Sequence, residues 1–133
     1  MNISRILQHT APALALGAAM TAAMTAAMTT PADADSGWWF STNDGASGYV
    51  KAYGDRVTAC DIATDGYKAL VQITSVNDSL LHRVADNYDD GKCTSQGAAS
   101  FDLWEGSHYK IQVCVVKTGQ TPRYCSSLHE FTA

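Results

Sequence analysis

The chain has 133 residues, with 9 Lys and Arg against 13 Asp and Glu, a formal net charge of −4 at pH 7. The charges are scattered and form no basic stripe, which argues against a nucleic-acid partner.

The chain opens MNISRILQHTAPALALGAAMTAAMTAAMTTPADA. Arg5 is the one firmly charged residue before Asp33, an uncharged run extends from Ala11 to Thr30, and Pro31 precedes the small residues Ala32 and Ala34. A positive start, an apolar middle and an A-x-A site make a secretory signal peptide over residues 1–34, with cleavage expected after Ala34. A membrane anchor competes, because the run is just long enough to span a bilayer. It is, however, rich in Ala and Thr and only weakly hydrophobic. The mature chain would then be residues 35–133, a single domain large enough for one core and small enough to profit from cross-links. It holds no second long apolar run, so the processed protein is expected to be soluble, extracellular and free of the membrane.

Its first segment is "GWWF", Gly37 to Phe40. In a strand Trp38 and Phe40 share one face and Trp39 takes the other. The expectation is that Trp38 and Phe40 are buried and Trp39 lies outward as a surface contact. Further short β-type segments follow. "GYVKAY" alternates Tyr49, Lys51 and Tyr53 against Val50 and Ala52, and "RVTACDI" comes after a turn. "YKALVQITSV" sets Ala69, Val71 and Ile73 on one face, and "SLLHRVAD" is a weaker strand with a competing helical reading. "ASFDLWE" puts Phe101 and Leu103 together, leaving Trp104 on the opposite, outward parity. "HYKIQVCVVK" alternates Tyr109, Ile111, Val113 and Val115 against Lys110, Gln112 and Cys114, and "RYCSSLHEFTA" closes the chain. Period-2 segments broken by NDG, YGD, TDG, DDG and EGS predict an all-β fold: a small antiparallel β-sandwich of about immunoglobulin size.

All four cysteines, Cys60, Cys93, Cys114 and Cys125, fall in the mature part. An even count in an exported chain this short reads as two disulfides. Zinc usually takes C-x₂₋₄-C pairs, and these separations are 33, 21 and 11. "CVVKTGQTPRYC" carries Gly119 and Pro122 near its middle, which is hairpin-loop chemistry. If Lys117 pairs with Pro122 across Thr118 to Thr121, Cys114 faces Cys125 at disulfide range. That leaves Cys60 with Cys93. The other two connectivities, 60–114 with 93–125 and 60–125 with 93–114, remain open on sequence alone.

"GYVKAYGDRVTACDIATDGYKALVQI" and "YKIQVCVVKTGQTPRYCSS" resemble segments of a group of short secreted actinobacterial proteins, all-β and disulfide-bonded, with no assigned function. The likeness covers residues 48–73 and 109–127. It implies the same fold and the pairing Cys60–Cys93 with Cys114–Cys125, and it carries no activity across. Small α-amylase inhibitors of the tendamistat type are similar in being all-β with two disulfides. They present a Trp-Arg-Tyr turn, whereas "WWF" has no central Arg and the cysteine spacing here differs.

Charged and polar clusters weigh less. Asp61 and Asp65 in "CDIATDG" could hold calcium, but Asp65-Gly66 is ordinary turn chemistry with Asp61 capping an amide. "DNYDDGK" offers Asp86, Asp89 and Asp90 as a weak calcium loop; Tyr88 and Gly97 occupy positions where an EF-hand needs ligands. His82, His108 and His129 could act as bases and Ser107 or Ser126 as nucleophiles, yet no G-x-S-x-G or H-E-x-x-H completes either scheme. Asp102 and Glu105 as a glycosidase pair would point to opposite faces of a strand. No cofactor motif is present. An exposed Trp104 beside Tyr53 or Tyr88 could stack on a sugar or anchor a protein. The Thr118–Thr121 loop, with Thr118 and Gln120 outward, is the candidate inhibitory loop. The sequence therefore reads as a monomeric, secreted, non-enzymatic binding domain for an extracellular protein or polysaccharide. Inhibition of a secreted amylase or protease and a carbohydrate-binding module are the alternatives.

Overall fold

The structure, a computed structural model, describes residues 35–87 and 90–133. The expected signal peptide, Tyr88 and Asp89 lie outside the described residues. In chain order the strands are β1 (Trp39–Phe40), β2 (Ala46–Lys51), β3 (Arg56–Asp61), β4 (Lys68–Ser75), β5 (Leu80–Asp86), β6 (Cys93–Gln96), β7 (His108–Val116) and β8 (His129–Thr132). They form two antiparallel four-stranded sheets, ordered β1-β2-β3-β6 and β5-β4-β7-β8. No helix occurs among the described residues, and "SLLHRVAD" is strand β5.

The alternation in the sequence builds the core. Ala69, Val71 and Ile73 of β4 pair with Val115, Val113 and Ile111 of β7, and all six are fully buried. The first sheet meets them with Ala46, Val50, Val57 and Ala59. Midway along β2 stands Gly48, where a Cβ would fall within 2.8 Å of Val113 Cγ2 and nearer still to Val71. The sheets close to this distance because that position has no side chain. On the outer face of the second sheet, polar groups form a ladder around the buried Gln72: Arg83 Nε donates to Gln72 Oε1 at 3.0 Å, Gln72 Nε2 donates to Gln112 Oε1 at 3.3 Å, and Gln112 Nε2 donates to the Ser126 carbonyl at 2.9 Å. Partners of this kind offset the cost of burying amide side chains.

Both disulfides are present as expected, Cys60–Cys93 and Cys114–Cys125. Each joins cysteines with close backbones: Cys60 and Cys93 are register partners on β3 and β6, with Cα atoms 4.3 Å apart. The hairpin register differs from expectation. Val115 and Arg123 exchange both backbone hydrogen bonds, at 2.9 and 2.8 Å, so the loop end is one residue out of the Lys117–Pro122 pairing. Two residues deeper, Ser126 N donates to the Val113 carbonyl at 2.8 Å, restoring the register that sets Cys125 against Cys114. The extra residue is taken up at Tyr124, which adopts a left-handed φ of 50°, the behaviour of a β-bulge.

"ASFDLWE" is a loop and not the expected strand. The β2–β3 turn holds it in place: Ala98 N, just before the segment, donates to the Gly54 carbonyl at 3.1 Å, and Leu103 N within it donates to Asp55 Oδ2 at 3.0 Å. The expected burial survives: Leu103 joins the core and Phe101 packs against it.

Candidate functional site

The inward residues of β2 are Ala46, Gly48 and Val50, so Ser47, Tyr49 and Lys51 point outward. Register extends that face across the sheet, placing Tyr49 beside Thr58 and Ser95, Ser47 beside Cys60 and Cys93, and Lys51 opposite Arg56.

The expected facing of the aromatic triplet is inverted. β1 pairs with β2 so that Trp39 faces Gly48. Trp39 thereby takes the inward side and packs, partly buried, against the core. It lies flat on His129 of β8, with ring centroids 3.3 Å apart, and its Nε1 donates to the Ser36 carbonyl at 2.8 Å. The triplet thus closes one open edge of the sandwich. At the other edge Asp86 closes it, accepting hydrogen bonds from Asp61 N and Thr94 Oγ1, both at 2.9 Å.

Trp38 and Phe40 face solvent instead, each 51% exposed. Trp38 stacks on Tyr49 with centroids 5.3 Å apart and planes 22° from parallel. Tyr49 is fixed in turn: its hydroxyl donates to Asp35 Oδ2, while Asp35 Oδ1 accepts from Ala52 N at 2.9 Å. Ser36 ties the same segment to β2 through Val50, donating its amide to the Val50 carbonyl at 3.0 Å and accepting the Val50 amide on Oγ at 2.8 Å. The Tyr49 hydroxyl, followed by the Ala52 amide, holds the Asp35 carboxyl below its ordinary value. The same bond raises the Tyr49 phenol. Next to this stack, the Thr58 and Ser95 hydroxyls share a 2.7 Å hydrogen bond. The result is a pre-set surface of an aromatic plane, hydroxyls and two cations.

Comparison with known proteins returned no matching family model, no matching curated protein and no matching solved structure. The reading of this face therefore rests on its own chemistry.

The other candidates are dispersed. Trp104 is 79% exposed, and Tyr53, at 81%, occupies the turn that hydrogen-bonds its loop, so these two aromatics project from the same end of the sandwich. Thr118 and Gln120 are exposed at the tip of the disulfide-pinned loop. At the end carrying that loop, Lys117 Nζ sits 4.6 Å from the Tyr67 ring centroid, and Tyr124 meets Tyr67 edge-on. A shallow depression of about 270 Å³ lies there, lined by Asp61, Thr64, Tyr67 and Asn87 among others. Asp86 has both carboxylate oxygens committed to protein donors, and Asp90 Oδ1 accepts from Lys92 N at 2.9 Å in a local turn. Asp65 Oδ1 likewise accepts from Tyr67 N at 2.9 Å, the turn role expected of it. Among the described residues no three His, Cys, Asp or Glu side chains gather closely enough to hold a metal ion.

Three of the potential bases and nucleophiles, His82, His129 and Ser126, are also tied into the scaffold. His82 stacks on Phe101 and hydrogen-bonds Gln96 at 2.8 Å, His129 stacks on Trp39, and His108 Nδ1 lies 3.3 Å from Thr132 Oγ1. Ser126 Oγ donates to the Ser127 carbonyl and accepts from Val113 N. Sequence reasoning missed Asp35, Trp38 and Tyr49 as a unit. The alternation of Tyr49 and Lys51 against Val50 and Ala52 is the signal in the sequence that could have found this face.

Proposed function

We propose that the protein is an exported, non-enzymatic binding domain whose contact surface is the outward face of the first sheet. The observation that carries this reading is the Trp38–Tyr49 stack, an exposed indole already held flat by a hydrogen-bonded tyrosine. An aromatic anchor fixed before binding loses little conformational freedom on contact, which is how rigid surfaces gain affinity. Two disulfides accord with an oxidising compartment. Among the described residues no helix is long and apolar enough to cross a membrane. The stacking of His82 on Phe101 and of His129 on Trp39, with the backbone bonds of Ser126, supports a role without turnover.

Retention on immobilised polysaccharides, measured for wild type and Trp38→Ala at matched melting temperature, tests the reading. Loss of retention in the variant supports it. Unchanged retention, or substrate turnover in a panel of hydrolase substrates, overturns it. The second reading, inhibition of a secreted amylase or protease, is favoured by one feature: the exposed Thr118–Thr121 tip is anchored by Cys114–Cys125 and the Val115–Arg123 bridge. Stoichiometric inhibition of a purified amylase or protease, abolished by Gln120→Gly, would select it.

A further inference from the structure

Lys51 and Arg56 occupy directly opposed positions on the outward face of β2 and β3, and both are exposed. Like charges set opposite each other across a strand pair are unfavourable unless something anionic lies between them. Among the described residues neither cation forms a salt bridge. The Asp35 carboxylate, hydrogen-bonded by the Tyr49 hydroxyl and the Ala52 amide, offsets part of the charge of Lys51, and the group of three keeps a net positive charge. In a chain of net charge −4, this face is a local reversal of sign.

Resting on the binding-face reading, we propose that the ligand is an acidic polysaccharide, a chain of uronic acid units laid along the outward side of β2. One pyranose ring would stack its C–H face on the open side of Trp38, whose other side is covered by Tyr49. The carboxylate of a sugar further along the chain would sit between Lys51 and Arg56. Tyr49 and Lys51 are two residues apart on one strand face, about 7 Å along it. That step exceeds the rise of one pyranose unit, so the stacked ring and the paired carboxylate belong to non-adjacent sugars. The hydroxyl pair of Thr58 and Ser95 lies on the far side of Tyr49 from Trp38, on the same outward face, where it would meet sugars beyond the stacked ring. Arg56 supplies the planar fork that matches a carboxylate with two parallel bonds. A single cation pair, without a basic stripe, favours this ligand over nucleic acid, whose backbone contacts need many more charges.

Calorimetric titration with oligogalacturonides tests the proposal, with soluble amylose and oligothymidine as comparison probes. Wild type is expected to bind the oligogalacturonide more tightly than amylose and to weaken as salt rises. Trp38→Ala and the double variant Lys51→Gln/Arg56→Gln should each lose at least tenfold in affinity at unchanged melting temperature. Lys92→Gln, which removes a cation beyond this face, should stay within twofold. Absence of oligogalacturonide binding at millimolar concentration overturns the proposal, as does tighter binding of oligothymidine. Amylose binding that depends on Trp38 but not on Lys51 and Arg56 overturns the acidic ligand while leaving the binding face standing. Oligogalacturonide binding indifferent to Trp38→Ala removes both.

Discussion

Gly48 is the position where the sandwich is most sensitive to a single added carbon. A Cβ there would come within 2.8 Å of Val113 Cγ2 and closer still to Val71. Both valines are fully buried and paired with each other across β4 and β7, so neither has an open side to move into. Their branched side chains also have few alternative rotamers. Overpacking of this kind costs about 1–3 kcal/mol, and two stiff neighbours place Gly48→Ala near the top of that range. For a domain of this size each kcal/mol lowers Tm by about 4–8 °C, giving an expected fall of about 10–20 °C. Gly37→Ala is the natural control. Gly37 has a left-handed φ of 73°, but a methyl group added there would meet nothing within 4 Å, so its cost is backbone strain alone, about 1 kcal/mol. Urea unfolding of the two variants reads the difference directly. Gly48→Ala within about 0.5 kcal/mol of wild type, or Gly37→Ala costing more than Gly48→Ala, would refute the packing argument, taking that figure as the ordinary scatter of surface changes.

Three further outcomes follow from the same geometry. Replacing Cys60 and Cys93 by Ala should cost about 4 kcal/mol and replacing Cys114 and Cys125 about 3 kcal/mol, in the loop-entropy account for separations of 33 and 11 residues; denaturant midpoints in the reverse order would contradict it. Asp86→Ala leaves the Asp61 amide and Thr94 hydroxyl without their buried acceptor and should destabilise by about 2–4 kcal/mol, with no recovery in millimolar calcium; recovery by calcium would show a metal role instead. Because the folded protein holds the Asp35 carboxyl below 3.8, its contribution is present above that value and lost as pH falls through the lowered one. The raised Tyr49 phenol acts with the opposite sign, contributing below pH 10 and losing its effect as pH rises through the raised value. Trp38 fluorescence should therefore report loosening at both extremes, and Asp35→Asn should flatten the acid limb; superimposable acid limbs would contradict the assignment.

Much of the fold was legible because β-alternation is a local property. β4 and β7 wrote their inward residues into the sequence as unbroken period-2 runs, and the cysteine pairing followed from a hairpin whose loop chemistry was visible. The hairpin's register near its tip was not, because Tyr124 absorbs a residue in a backbone conformation that an aromatic side chain gives no hint of. The inverted facing of Trp38, Trp39 and Phe40 has a different cause. Alternation says that Trp39 opposes its neighbours, but which side is inward depends on the register with β2, where Trp39 faces Gly48, a neighbour only through strand pairing. β6 escaped notice since "CTSQ" has no apolar periodicity; it is held by pairing with β3 and by the Asp86–Thr94 bond. Of the binding face, the outward Tyr49 and Lys51 could be read in advance. The Asp35 hydrogen bond that fixes the stack joins residues 14 apart and could not.

The most direct test of the binding face is a two-dimensional NMR titration of the indole N–H signals with an oligogalacturonide, with solvent exchange measured on the same sample. The Trp38 signal should exchange fast and shift on binding, while Trp39, bonded to the Ser36 carbonyl, should be protected and nearly still. A protected Trp38, or a ligand that shifts Trp39 while leaving Trp38 in place, would contradict the account.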